Sequence, residues 1–146
     1  MLDHVAKMSR RNVRRALLCL EAGKARSYPF TEENLGQFEL PDWEVYVYNV
    51  AKQIVSEQSP ARLMQIRAAY YELLGHAIPP SVLLRRLTQE LLVSLDASLA
   101  PEIARWAAHY EFQMVRGTKP ILHLEAFTAK AMSIYKAYLT SMMGDF

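Results

Sequence analysis

The chain has 146 residues, enough for one substantial core or two small units, and is 51% hydrophobic and 22% charged. That balance excludes wholesale disorder, and the one cysteine, Cys19, excludes an internal disulfide and fits a reducing compartment. The net charge of +2 is unevenly held: residues 1–26 carry seven Lys/Arg and two acids while the remainder is mildly acidic, whereas a chain reading nucleic acid with its main body would spread basic charge along a face.

Taken from the start, Asp3, His4 and Lys7 interrupt the first residues, so no signal-peptide core is visible. No window anywhere approaches the roughly 18 uninterrupted apolar residues of a membrane span. An intracellular protein with no membrane partner is the expectation. The next stretch, "SRRNVRRALLCLEA" from Ser9 to Ala22, predicts a helix with Val13, Ala16, Leu17 and Leu20 as its packing stripe. Cys19, set among leucines, reads as a buried thiol. On that helix Arg10 and Arg14 share one side, as do Arg11 and Arg15. Arginines at a helix start oppose the macrodipole, and an anionic partner such as a nucleotide phosphate would relieve the conflict. A solvated basic surface is the competing reading.

Residues 24–41 break the periodicity with two prolines and a glycine and read as a linker, with room for one turn at Thr31–Leu35. "EVYVY" alternates like a strand, but Trp43, Tyr46/Val47, Val50 and Ile54 keep helical spacing, so this segment is expected to be a helix starting at Asp42. Beyond it, Pro60, Pro80, Pro101 and Pro120 lie 20, 21 and 19 residues apart. Proline is tolerated in the first turn of a helix and poorly in its interior, so the spacing predicts successive helices with short joints. Their apolar stripes are Leu63/Ile66/Tyr70/Leu73/Leu74, Leu83/Leu84/Leu87/Leu91/Leu92, Ile103/Trp106/Ala107/Tyr110/Met114, and a last one from Ile121 through Phe127 to Tyr138. Gly75 and Gly117 stand where C-terminal caps belong, and Ser59 where an N-cap belongs. The four segments share nothing but proline, which favours a bundle over a repeat array.

Catalytic constellations are absent from the sequence. His4, His76, His109 and His123 show no zinc-ligand spacing, and no phosphate-binding glycine loop or nucleophile elbow occurs. Tyr70–Tyr71 and Trp106/Tyr110/Phe112 could stack bases, but aromatics at helical spacing are more often core. Arg85–Arg86 reads as a solvated or interface pair.

The quoted segments together resemble a known family. "SRRNVRRALLCLEA" is similar to the sensor-2 helix of the lid in AAA+ clamp-loader subunits. "SYPF", "PDWEVY", "YELLGHAIPP" and "HLEAFTAKAMSIYKAY" resemble the C-terminal part of replication factor C subunits of the subunit-3 type, over about Leu2 to Tyr138. The resemblance implies an all-α chain: residues 1–25 as the end of an AAA+ lid, 26–41 as linker, and 42–146 as a five-helix collar that holds a heteropentamer together. It implies partnership with the other replication factor C subunits and, in the full complex, with the sliding clamp and primer–template DNA in the nucleus. By position in the motif Arg14 corresponds to the sensor-2 arginine that reaches ATP phosphates. Arg10, Arg11 and Arg15 receive no role from it. The common small-subunit pattern G-D-x-R-R-A is replaced here by Arg11 and Asn12 in its first two places, a departure that suits the subunit-3 type. The family's P-loop and acidic metal motif are missing, so the chain is expected to be a C-terminal fragment, not itself an enzyme, with ATP and Mg belonging to the full-length family. Two alternatives are a free-standing helical adaptor, which should present one apolar groove, and a small protein binding nucleic acid through residues 7–26.

Overall fold

The computed structural model describes residues 2–9, 12–26, 28–29 and 41–144. Among them every regular element is helical: α1 (Leu2–Met8), α2 (Val13–Arg26), α3 (Asp42–Ser56), α4 (Pro60–Gly75), α5 (Pro80–Ser94), a 3₁₀ turn (Ala97–Leu99), α6 (Ala100–Arg116) and α7 (Pro120–Gly144). The chain divides into two compact units, Met1–Asp42 and Trp43–Phe146. The turn at Thr31–Leu35 lies outside the described residues.

In the larger unit proline marks the helix starts, as its fixed φ demands: it is the first residue of α4, α5 and α7 and the second of α6. Ser59 caps α4, its hydroxyl accepting the Arg62 N–H at 3.1 Å. "EVYVY" is helical within α3, because with no described strand to pair with, its 3.6-residue stripe decides. Val47, Val50, Ala51 and Ile54 are buried.

The core is one cluster to which all five helices contribute: α3 through that stripe, α4 through Ile66, Tyr70 and Leu73, α5 through Leu83, Leu84, Leu87 and Leu91, α6 through Ile103 and Met114, and α7 through Leu124, Phe127, Ala131 and Ile134. The long α7 packs against α4, α5 and α6. Its position explains why it is apolar on more than one side.

Of the two glycines expected as C-caps, Gly117 caps α6, its N–H bonded to the Gln113 carbonyl, and Gly75 is corrected. Gly75 lies inside α4, and the left-handed residue that reverses the chain is Ala77, at φ 58°. Gly117 ends α6 with extended backbone (φ −90°, ψ 166°). There glycine serves close approach, since a Cβ would stand 2.6 Å from Nε2 of His123.

Candidate functional sites

In the smaller unit the arginine segment is not one helix from Ser9. Ser9 is buried just after α1, its N–H bonded to the Val5 carbonyl (2.8 Å) and its hydroxyl to that of Ala6 (3.0 Å). The helix restarts at Val13, where the Asn12 side chain accepts the Arg15 N–H at 3.1 Å and its carbonyl accepts from Ala16 at 2.9 Å. An asparagine offered to the backbone competes with helix continuation and wins as a cap. The stripe is also rotated from expectation: Val13, Leu17 and Leu18 are exposed, while Ala16, Cys19 and Leu20 are half-buried and Gly23 is buried. Cys19 is therefore half-buried, not enclosed.

Arg14 and Arg15 thus occupy the first turn of α2, Arg14 exposed and Arg15 half-buried. Arg10 and Arg11 lie outside the described residues. No acid stands in that first turn, so the exposed Arg14 guanidinium adds to the positive end of the helix, a field that suits an incoming phosphate. Among the described residues no group of three His, Cys, Asp or Glu could hold a metal ion.

The larger unit presents apolar surface and two open grooves. Apolar side chains emerge on several helices: Met64 and Tyr71 on α4, Val93 on α5, Phe112 and Val115 on α6, Leu122 on α7. One open groove of about 290 Å³ runs between the start of α4 and the middle of α7, over Pro60, Leu63, Ala129 and Met132. A second, of about 210 Å³, lies between α5 and α6, floored by Ala104, Ala107 and Ala108 and flanked by Arg85 and Glu111. The aromatics weighed as base stackers separate. Tyr70 is buried, its hydroxyl 2.6 Å from Thr128 Oγ1. Because the Thr128 hydroxyl donates to the Leu124 carbonyl (2.9 Å), Tyr70 is the donor between them. Burial pushes the Tyr70 phenol well up. Trp106 stacks on Tyr110, which meets Phe127 edge-on, so both belong to the core margin, with Lys130 Nζ 4.6 Å over the indole.

Arg85 and Arg86, expected as a solvated or interface pair, part company: Arg85 is solvated and Arg86 is interior. Arg85 is exposed and 3.3 Å from Glu111. Arg86 is 7% exposed, with Nη2 2.5 Å from Glu90 and Nη1 3.4 Å from the buried Glu44. This interior charge cluster, tying α3 to α5, is the feature sequence reasoning missed. Two signals were available: Arg86 and Glu90 are four apart, and Glu44 shares the helical phase of Val47, Ala51 and Ile54.

Residues 43–139, nearly the whole larger unit, match the family model described as replication factor C subunit 3, C-terminal domain. The chain belongs to the replication factor C family. It is 50% identical over 141 residues to replication factor C subunit 5 of Oryza sativa subsp. japonica, covering 96% of this chain and 39% of that protein. To replication factor C subunit 3 of Arabidopsis thaliana it is 48% identical over 140 residues (96% and 39%), and to that of Homo sapiens 46% over 141 (95% and 38%). The chain spans about two fifths of the length of these replication factor C relatives. The family model that matches is that of the C-terminal domain. The relatives carry subunit numbers 3 and 5 alike, so membership stands at the level of the family.

Proposed function

We propose that the chain is the lid end and collar of a replication factor C subunit of the subunit-3 type, an assembly module of a complex that uses ATP and Mg to load the sliding clamp onto primer–template DNA in the nucleus. In this reading residues 1–25 close the lid, 26–41 link, and 42–146 form the collar that meets the other subunits. Arg14 is the sensor-2 arginine, whose contact with ATP phosphates would favour one lid position over another. The observation that carries the reading is the distribution of apolar surface. Met64 and Tyr71, Phe112 and Val115, and Leu122 emerge from three different helices of one bundle. A free-standing adaptor needs one continuous groove, while a ring subunit meets neighbours on more than one side and leaves apolar patches on each when alone.

The test is co-expression of this chain, tagged, with the other replication factor C small subunits of the same source, followed by affinity capture. Recovery of at least one neighbour, resistant to nuclease and moderate salt, is the expected result. Failure to recover any neighbour, with the tagged chain folded by circular dichroism, would overturn the collar reading.

A further inference from the structure

Of the seven prolines only Pro60 follows a hydroxyl-bearing residue. The run "SPAR", Ser59 to Arg62, sets a proline directly after that serine and a cation three residues after it. This is the substrate pattern of proline-directed protein kinases. A pocket with no acceptor for the next residue's N–H selects the residue that lacks one, and an anionic site reads the cation. A second run, "RRLT" from Arg85 to Thr88, has the pattern of kinases that read arginines ahead of the acceptor. The fold separates the two. Thr88 lies within α5, 9% exposed, its hydroxyl donating to the Leu84 carbonyl at 2.7 Å. Ser59 lies in the joint between α3 and α4, half-buried, with exposed Glu57 and Pro60 beside it. Its backbone is extended (φ −126°, ψ 156°), as the residue before a proline prefers. The extended form in which a kinase takes its substrate is thus present at the acceptor. The first turn of α4 can follow it. Pro60 has no N–H to hold, and the bonds tying this turn to the joint run from the Arg62 N–H to Ser59 Oγ and from the Leu63 N–H to the Ser59 carbonyl, each 3.1 Å. A segment held by so few bonds opens locally while the bundle stays folded.

The side chains around Ser59 are placed to hold a phosphate once it is made. The Ser59 hydroxyl donates to Glu57 Oε1 at 2.5 Å, and the same carboxylate holds Arg62, with Nη2 at 2.8 Å and Nε at 3.2 Å from Oε2. A phosphate ester on Ser59 has no such proton for Glu57 and brings a charge of about −1.5 to −2 beside it. Arg62 is within reach of both anions, and its planar fork matches the phosphate oxygens. α4 carries no acid in its first turn, so the positive end of the helix adds to the attraction. Lys136 of α7 lines the same groove as Ser59. Modification therefore exchanges the Glu57–Arg62 pair for a phosphate–Arg62 pair and releases Glu57 to water. The ester oxygens still accept the Arg62 N–H, so the start of α4 stays capped.

We infer that Ser59 is a phosphorylation site for a proline-directed protein kinase, with Arg62 as the residue that holds the phosphate. In the transfer the Ser59 oxygen bonds to the γ-phosphorus of the kinase's ATP, and the bond from that phosphorus to the bridging oxygen breaks. ADP leaves, and the hydroxyl proton passes to the kinase's catalytic base. The inference rests on the joint before α4 and not on the collar reading.

The experiment incubates the whole chain with a cyclin-dependent kinase and ATP and follows its intact mass, with the modified residue located by peptide fragmentation. One phosphate on Ser59 is expected, and none on Thr88. Ser59→Asn keeps a helix cap but offers no hydroxyl, so it should take up no phosphate while its helix content stays unchanged. Ser59→Thr should restore uptake, and Arg62→Gln should slow it several-fold. In phosphorus NMR a free phosphopeptide spanning residues 55–63 should ionise at about pH 6. The phosphoserine of the folded chain should ionise at lower pH, and Arg62→Gln should lose most of that shift. Uptake by the peptide but not by the folded chain would overturn the inference, as would refusal of both or a phosphate located on another residue. A phosphate on Ser59 that ionises as in the free peptide would overturn the role given to Arg62.

Discussion

Arg85 and Arg86 are adjacent in sequence and opposite in environment, and the difference decides what each does. Arg85 is exposed, and its contact with Glu111 at 3.3 Å is of the kind worth little after screening and side-chain entropy. Arg86 sits between Glu44 and Glu90 with its side chain 8% exposed and that of Glu44 1% exposed. Removing the guanidinium would strand two carboxylates out of water, a loss far larger than the pair's net worth when intact. Arg86→Leu is therefore expected to cost about 3–5 kcal/mol in urea unfolding, against about 0.5 kcal/mol or less for Arg85→Leu. Equal losses for the two would show that the cluster is hydrated and not interior. Glu44→Leu combined with Arg86→Leu should recover part of the loss, since it removes an uncompensated charge together with its partner.

At the scale of elements, the starts of the helices depend on small polar groups. Ahead of α4, Glu57 accepts from the Ser59 hydroxyl at 2.5 Å and from Arg62 Nη2 at 2.8 Å, and these bonds hold its carboxyl below the usual range. Asp96 caps the 3₁₀ turn by accepting the Ser98 N–H at 2.8 Å, and its bonds to Ser98 lower it likewise. A carboxylate whose folded pKa is depressed contributes stability above its unfolded value, and that contribution is lost as pH falls through the folded value. The unfolding midpoint should therefore be insensitive to these groups above about pH 5 and should fall on acidification below about pH 4. The chain carrying Glu57→Gln and Asp96→Asn should start lower at neutral pH and fall less steeply in acid. Parallel acid limbs in a pH series of thermal melts would assign the acid sensitivity to other groups. The same logic of small polar groups explains the break before α2. Asn12 ends the expected helix by capping a new one, which moves Arg14 from mid-helix to the first turn.

At the scale of the molecule, the smaller unit leaves an apolar edge on α2, where Val13 is 73% and Leu17 61% exposed, beside an exposed Arg14. On the proposed reading this is the end of a lid whose nucleotide is held by residues outside this chain. In a full-length subunit, Arg14→Ala should slow ATP-dependent clamp loading by about tenfold or more, the scale of one charge-assisted contact of about 1.5–3 kcal/mol, with assembly of the complex unchanged. Loss of assembly, read by gel filtration of the complex, would make Arg14 a structural residue instead.

The sequence by itself determined the helical class and the places where helices of the larger unit begin. Proline at a first turn and a 3.6-residue apolar stripe are local facts, settled within one segment whatever surrounds it. Phe127, Leu87 and Ile66 were recognisable as core for that reason, and Ser59 as a cap. Tertiary structure alone decided which arginine is interior, because the environment of Arg86 depends on Glu44, which lies 42 residues away in sequence. It also decided that the α2 stripe turns through Ala16, Cys19 and Leu20 rather than Val13 and Leu17. A periodic pattern shows that a helix has an apolar side, but which of two neighbouring stripes is covered depends on what packs against it.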